Sequence, residues 1–269
     1  MPQQFFMLEI KVRKCTAEAW INDIPCFRVT PSRSTILRAV HQYLLPGANR
    51  FTIVIQPGPT PGVGRIPGLG TFIPEDDTSA SLRLMSMPEG SFDGDPGAVE
   101  LFRLDWAPPP AQPVVAPVVL ENEVAIPGAG HEWEWLNGDT FGGPAALTDV
   151  VAMLNVCREA MDRRDPEPFL ERAQMRFRAN QLAYGLETEP EMATFRQQFA
   201  AISAEPGFAM EPLNPMTMDL RICGGGKLVD CLDLGWEPVL RSVKQMNGVV
   251  RLRYPIKAAS VKGVIQIVL

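Results

Sequence analysis

Apolar and charged residues alternate strictly near the start of the chain. Leu8, Ile10 and Val12 fall on one face of residues 6–13, with charged residues between them. Period-two alternation is typical of a β-strand that is buried on one face and exposed on the other. The same alternation returns over residues 15–21, so the pattern predicts two consecutive strands before the first turn.

Turn residues separate the strands that the pattern predicts next. Asn22-Asp23 and Pro46-Gly47-Ala48-Asn49 are typical of tight turns. Further strand-like segments cover residues 25–29, 40–45, 51–55, 81–87 and 98–106. Short strands at this spacing favour an antiparallel β-sandwich. Residues 56–74 hold so many prolines and glycines that they predict a loop.

The spacing of apolar residues changes after a proline-rich segment. Residues 107–113 read Ala-Pro-Pro-Pro-Ala-Gln-Pro, which is typical of a linker stiffened towards polyproline II. We therefore predict a linker at residues 107–117. It would separate a β-sandwich domain, residues 1–106, from an α+β domain, residues 118–269.

Three helices are predicted in the second domain. Behind Thr148, a potential N-cap, apolar residues recur at helical spacing over residues 149–163. Asp165-Pro166 starts a second helix, which ends at Gly185 because glycine readily adopts the left-handed conformation of a helix C-terminus. A third helix is predicted over residues 189–203.

Only strands are predicted behind the third helix. They cover residues 216–223, 228–234, 239–243, 249–256 and 261–269. Gly224-Gly225-Gly226 and Asn247-Gly248 are hairpin turns in this interpretation, since both tolerate a positive φ. The predicted fold class is α+β in two domains: an antiparallel β-sandwich, then three helices followed by a curved antiparallel sheet.

Two parts of the chain resemble known folds. Residues 19–25 and 40–54, Ala-Trp-Ile-Asn-Asp-Ile-Pro and Val-His-Gln-Tyr-Leu-Leu-Pro-Gly-Ala-Asn-Arg-Phe-Thr-Ile-Val, resemble the sugar-binding-type (galactose-binding-like) β-sandwich that accompanies glycan-processing enzymes. The order of elements in the second domain resembles the cone-shaped fold of nuclear transport factor 2-like and cystatin-like proteins. The first resemblance implies a carbohydrate ligand. The second implies binding or homodimer formation through the C-terminal sheet, or catalysis by an Asp or His pair inside the cone.

Charge and cysteine content restrict the partners. The net charge of −6 and the pI of about 5.1 argue against nucleic acid and anionic membranes as partners. The longest apolar runs are far shorter than the roughly 20 residues of a membrane helix. The five cysteines are odd in number and scattered, which indicates reduced thiols and a cytoplasmic location. A Cys223–Cys231 disulfide across the glycine turn is the alternative. The high Ala, Pro and Arg content suggests a bacterial protein.

Candidate ligand-binding residues cluster around two tryptophans. Trp133 and Trp135 alternate with Glu132 and Glu134, so in an extended segment the indoles share one face and the carboxylates the other. In that arrangement the indoles would form a stacking platform for a sugar or an aromatic ligand, anchored by the two carboxylates. The alternative is that the indoles are structural and pack the two halves of the chain together.

Polar residues of the presumed cone form a second group of candidates. These are Tyr184, Asp219, Arg221 and Asp233. Asp219 and Arg221 share a strand face, so a surface ion pair is the competing interpretation.

Chemical motifs are missing from this sequence. The glycine-rich segments fit neither a dinucleotide fingerprint nor a P-loop, and the histidines and cysteines lack zinc spacing. We therefore expect no catalytic residue, metal or cofactor. The expected function is a non-catalytic binding or accessory protein acting through protein–protein contacts, such as an immunity or assembly factor. The alternatives are a small-molecule isomerase or hydrolase working inside the cone, and a carbohydrate-binding protein.

Overall fold

The computed structural model describes residues 4–57, 70–91, 94–109, 111–243 and 252–269. The chain divides into two compact units, residues 1–131 and residues 132–269. In these described ranges the first unit is built from antiparallel strands, and the second contains three helices and an antiparallel sheet. The predicted α+β fold class is confirmed.

The described residues of the first unit form ten strands. They are β1 (Gln4–Arg13), β2 (Cys15–Ile21), β3 (Ile24–Val29), β4 (Thr35–Ala39), β5 (Ala48–Pro57), β6 (Gly70–Phe72), β7 (Ser79–Pro88), β8 (Val99–Trp106), β9 (Val114–Ala116) and β10 (Val118–Ala125). Two four-stranded sheets have the orders β4-β1-β7-β8 and β10-β5-β2-β3, while β6 and β9 form a separate ribbon. All of these pairings are antiparallel.

The core of the first unit lies between the two four-stranded sheets. Leu8 and Ile10 of β1 are fully buried, as the alternating pattern predicts. The rings of Phe51 on β5 and Phe102 on β8 lie 4.6 Å apart and join the two sheets. The predicted strand at residues 40–45 is wrong, because its middle forms a short 3-10 helix, His41–Tyr43.

One residue of the predicted polar face is buried. Glu9 on β1 is only 6% exposed, and its carboxylate lies 2.7 Å from Arg83 Nε and 2.8 Å from Lys11 Nζ. Burial by itself raises the pKa of Glu9, but the hydrogen bonds and charges of Arg83 and Lys11 outweigh it, so the pKa lies below its ordinary value. The alternation predicted the strand correctly but not the burial of this charge.

The predicted linker at residues 107–117 is not a domain boundary. β9 pairs with β6, and β10 pairs with β5 from Val118↔Ile55 onwards, so both strands belong to the first unit. The boundary falls after His131. Prolines also occur beside edge strands, where no partner needs their missing N–H. Composition alone therefore could not distinguish a linker from a turn between edge strands.

The second unit contains three helices and six strands in the part of the chain that is described. They are α1 (Pro144–Asp162), α2 (Glu167–Tyr184), α3 (Thr188–Ser203), β11 (Met218–Cys223), β12 (Leu228–Asp233), β13 (Leu240–Arg241), β14 (Arg253–Tyr254), β15 (Lys257–Val261) and β16 (Val264–Ile267). The main sheet has the order β11-β12-β15-β16, and β13 pairs with β14.

Several predicted ends in the second unit agree with the structure, but the predicted strand at residues 261–269 is wrong in its start, because β15 ends at Val261 and a turn separates it from β16. Gly185 adopts a left-handed φ of 69° behind α2, and Gly224, Gly225 and Gly226 all have positive φ in the β11–β12 turn. Thr148 is not a cap, because α1 already begins at Pro144. The predicted Asn247-Gly248 turn lies outside the described residues, although β13 and β14 on either side of it do pair.

One face of the main sheet packs against the helices. Phe169 and Leu170 of α2 form a common buried core with Val229 and Cys231 of β12 and Ala258 of β15. Burial of these apolar side chains supplies the main driving force for folding of this unit. None of the helices in the described residues combines the length and apolar character that crossing a bilayer requires.

Candidate functional site

The two tryptophans of the predicted platform are buried. Trp133 and Trp135 are each 2% exposed, and the segment behind Trp133 forms a short 3-10 helix, Glu134–Asn137, instead of an extended strand. A ligand cannot stack on indole faces that are already covered. The structure therefore contradicts the stacking platform.

The neighbouring carboxylates point to solvent. Glu132 and Glu134 are exposed, and Glu134 binds Arg178 of α2 with an Oε1–Nε distance of 3.0 Å. Both partners are about half exposed, so this ion pair contributes little to stability. It leaves Glu134 without the ligand-anchoring role that the alternating pattern predicted.

The polar residues predicted inside the cone do not form one site. Tyr184 is the last residue of α2 and is partly exposed, whereas Asp219 lies buried on β11. Arg221 makes a buried ion pair across the strands with Asp230, with Nη2 2.6 Å from Oδ2. The prediction that Arg221 forms a surface ion pair is therefore wrong, because Arg221 and its partner Asp230 are both largely buried.

Three charged residues stand side by side across the main sheet. Arg221, Asp230 and Lys257 occupy directly opposed positions on β11, β12 and β15. Asp230 Oδ1 accepts a hydrogen bond of 2.8 Å from Lys257 Nζ, and the Arg221 guanidinium carbon lies 4.4 Å from the centre of the Trp236 ring. Because the carboxylate is bound on both sides, this charge triad (Arg221, Asp230, Lys257) is a structural element of the sheet.

Arg241 is held in a similar way. Its guanidinium donates to Glu211 at 2.6 and 3.1 Å and to Asp233 at 2.7 Å. The hydrogen bond to Glu211 is the largest cause that raises the pKa of Arg241, with burial opposing it and Asp233 adding to it. Asp233, one of the predicted polar candidates, is therefore occupied by this guanidinium, in a surface cavity of about 520 Å³.

An aromatic pocket lies between α2, α3 and β14. Its volume is about 270 Å³, and we call it the α2–α3 pocket. The aromatic side chains of its wall are Phe169, Phe177, Phe195 and Tyr254, and the polar ones are Arg176, Glu191, Thr194 and Gln198. It is thus a concave apolar surface with a few polar groups, as is typical of ligand sites.

The aromatic wall is continuous. Phe169 and Phe195 stack with ring centres 5.0 Å apart and planes 11° from parallel. The Tyr254 ring lies 5.0 Å from Phe169 and 5.1 Å from Phe195, and its burial raises the pKa of the phenol well above its ordinary value, with a smaller opposing influence from Arg176. Tyr254 is therefore a neutral phenol at physiological pH.

Glu191 is the most informative polar group of the pocket. Its Oε1 accepts a 2.8 Å hydrogen bond from the Asn180 amide on α2. Its Oε2 is shielded from solvent and has no hydrogen-bond partner among the described residues. Buried acceptors normally have a partner, so an atom of this kind is a candidate contact for a ligand.

Helical spacing brings these residues together. On α3, Glu191, Thr194, Phe195 and Gln198 stand at i, i+3, i+4 and i+7, which is one face of a helix. The helix itself was predicted over residues 189–203, but the polar residues of this face were not singled out as candidates. The spacing was the available signal, but it does not indicate which residues of α2 and β14 lie opposite.

Metal and disulfide chemistry finds no support in the residues that are described. They contain no group of three or more His, Cys, Asp or Glu side chains placed to hold a metal ion. All five cysteines are free thiols, so the alternative of a Cys223–Cys231 disulfide is wrong. Cys223 pairs with Leu228 across the two strands, and Cys231 pairs with Leu220. Because side chains alternate between the two faces along a strand, Cys223 and Cys231 point to opposite faces of the sheet.

Comparisons with known proteins yielded no match. No model of a known protein family matches the chain, and neither a curated protein nor a solved structure does so. The resemblances to the galactose-binding-like sandwich and to the nuclear transport factor 2-like cone accordingly stay predictions.

Proposed function

We propose that the chain is a non-catalytic binding protein whose second unit holds a small ligand in the α2–α3 pocket. One observation carries the proposal: the shielded Oε2 of Glu191, without a hydrogen-bond partner in the described residues, lies in a concave aromatic pocket. Leaving such an acceptor unsatisfied costs about 1–3 kcal/mol. A ligand that donates a hydrogen bond there recovers this free energy.

The volume of the pocket limits the ligand. Small-molecule sites commonly measure about 300–1,000 Å³, and the α2–α3 pocket, at about 270 Å³, lies just below that range. The part of a ligand that the pocket encloses is therefore about the size of a single substituted ring or an amino acid.

Three of the lining groups are unsuited to acid–base catalysis. Tyr254 is a neutral phenol whose raised pKa makes it a poor base, and the Thr194 hydroxyl donates to the Pro190 carbonyl oxygen at 2.9 Å. Gln198 does not ionise. A general acid or base works best with a pKa near the operating pH, and none of these three groups fits that description. The isomerase or hydrolase interpretation would require turnover of a bound compound.

The partner predictions concern other surfaces of the chain. A protein partner and a homodimer formed through the C-terminal sheet remain proposals. Either could pair with β11, because β11 is an edge strand of that sheet. Ile222 on β11 is 38% exposed and would be covered by such pairing. A carbohydrate ligand loses its main support, because Trp133 and Trp135 are buried.

A screen of amino-acid-sized compounds against the full chain tests the proposal. Thr194 is an exposed lining residue, so Thr194→Trp fills the pocket from its rim without removing a core side chain. Gln197→Trp is the matched control, since Gln197 is exposed on the same helix but does not line the pocket. We expect compounds that raise the melting temperature of the wild type and of Gln197→Trp but not of Thr194→Trp.

Two results would contradict the proposal. If every stabilising compound acts equally on Thr194→Trp, the ligand lies elsewhere. If mass spectrometry shows that the wild type converts a bound compound and Thr194→Trp does not, the pocket is an active site.

A further inference from the structure

We infer that the α2–α3 pocket selects organic monocations: a single ammonium or guanidinium group carried on an apolar body. This inference rests on the proposed function and specifies the chemical class of its ligand. It follows from the charges and ring faces that the pocket presents.

The first support is the aromatic wall. Phe195 and Tyr254 are partly exposed and have ring centres 5.1 Å apart, while Phe169 is buried against both of them. The faces of aromatic rings carry negative electrostatic potential and attract cations within about 6 Å of the ring centre. The same rings repel an anion, and they pack against an uncharged hydrocarbon group. The wall therefore accepts the apolar part of a ligand and favours a positive head group.

The second support is Glu191. Asn180 binds Oε1 at 2.8 Å and so fixes the carboxylate, while Oε2 remains shielded without a partner in the described residues. A carboxylate accepts hydrogen bonds but donates none. An ammonium or guanidinium group supplies both the donor and the compensating charge, whereas a hydroxyl supplies only the donor. A carboxylate ligand supplies neither.

Arg176 limits the ligand to one charge. It lies one helical turn before Asn180 on α2, so it stands on the same helix face as the residue that holds Glu191. Its Nη1 donates to the Pro255 carbonyl oxygen at 3.2 Å, which directs the guanidinium towards the β14–β15 connection. A second positive charge on the ligand would meet this guanidinium. Diamines should therefore bind more weakly than monoamines of the same length.

Three probes of nearly equal shape test the inference by calorimetry on the full chain. They are phenethylamine, a cation; 2-phenylethanol, which is neutral; and 3-phenylpropanoate, an anion. We expect phenethylamine to bind about tenfold more tightly than the alcohol, as a charge-assisted hydrogen bond implies, and the anion to bind weakest. Binding of the alcohol or the anion as tightly as the amine overturns the inference.

Substitutions at two neighbouring glutamates identify the group responsible. Glu191→Gln keeps the size of the side chain and an acceptor for Asn180, but removes the charge. It should lower the affinity for phenethylamine about tenfold and leave that for 2-phenylethanol nearly unchanged. Glu189→Gln removes an exposed charge in the same first turn of α3 and should change neither affinity more than about twofold. Circular dichroism checks that both variants fold.

The results separate the inference from the proposed function. An equal effect of both substitutions, or none from Glu191→Gln, overturns the selection of cations, while compounds that lose binding in Thr194→Trp still support a ligand pocket. If no compound of any charge depends on Thr194, both the pocket and its selectivity are wrong.

Discussion

Arg221 on β11 and Asp230 on β12 stand directly opposite each other, with Nη2 of the arginine 2.6 Å from Oδ2 of the aspartate. Lys257 of β15 binds the other oxygen of Asp230 at 2.8 Å. One carboxylate therefore pairs with two cations whose side chains are largely buried. Removing one member of such a buried cluster leaves charge without compensation, which is far more costly than never having placed it there.

We expect Asp230→Asn to lower the free energy of unfolding of the second unit by about 3–5 kcal/mol. Urea titration followed by helical circular dichroism measures this unit selectively, because α1, α2 and α3 lie within it. Glu134→Gln breaks the half-exposed pair with Arg178 and should cost under about 1 kcal/mol. Equal losses in the two variants would show that the buried position of Asp230 has no special importance.

The pH dependence of stability should reveal His41. Its Nε2 accepts a 3.0 Å hydrogen bond from the Phe6 backbone N–H, and burial, with a smaller contribution from His131, lowers its pKa to about 4. The ordinary value of about 6.5 applies after unfolding. Between these values the unfolded chain binds a proton that the folded chain does not, so stability falls as the pH drops from about 7 towards 4.

Unfolding measured at pH 7.5 and pH 5.0 checks this expectation. His41→Gln removes the titrating group and should reduce the loss of stability between these two pH values. His131→Gln removes only the smaller cause of the shift and should preserve most of the loss. A His41→Gln variant with an unchanged pH profile would assign the dependence to other groups.

Gly130 and Gly128 should differ sharply in their tolerance of alanine. Both have positive φ, 84° and 74°. A Cβ at Gly130 would lie 2.3 Å from the Leu45 carbonyl carbon and oxygen, whereas one at Gly128 meets no heavy atom within 4 Å. Gly128→Ala should therefore lower the free energy of unfolding by about 1–2 kcal/mol, because alanine is strained in a left-handed backbone. Gly130→Ala should lower it by clearly more. Calorimetric melting of the two variants measures the difference. Equal melting temperatures would mean that the backbone at Leu45 moves freely.

The five cysteines should react in two classes. Cys26 is half-buried and the other four are buried, and burial raises the pKa of Cys15 and Cys157 to about 11. Because the thiolate is the reactive form, iodoacetamide at pH 7.5 should label Cys26 first in the native protein. All five should be labelled after denaturation without reductant, and mass spectrometry can count the labels on each chain. A pair that resists labelling until reduced would indicate a disulfide.

The candidate site was only partly accessible from the sequence. The helix that carries Phe195 was predicted from the sequence, over residues 189–203. Nothing in the sequence placed Glu191 against Asn180 of α2, or Tyr254 of β14 over Phe169. Trp133 and Trp135 were predicted to bind a ligand because tryptophan rings stack well, but their side chains are buried and a ligand cannot reach them.

The sequence by itself determined the local elements of this protein. The period-two alternation around Ile10, the helical spacing of α1 and the turn at Gly224-Gly225-Gly226 depend on neighbours only a few residues apart, so they could be recognised directly. Tertiary structure alone decided that β10 joins β5, that Glu9 is buried, and that one pocket unites α2, α3 and β14. These outcomes depend on hydrogen bonds and packing between residues far apart in the chain, which no local spacing encodes.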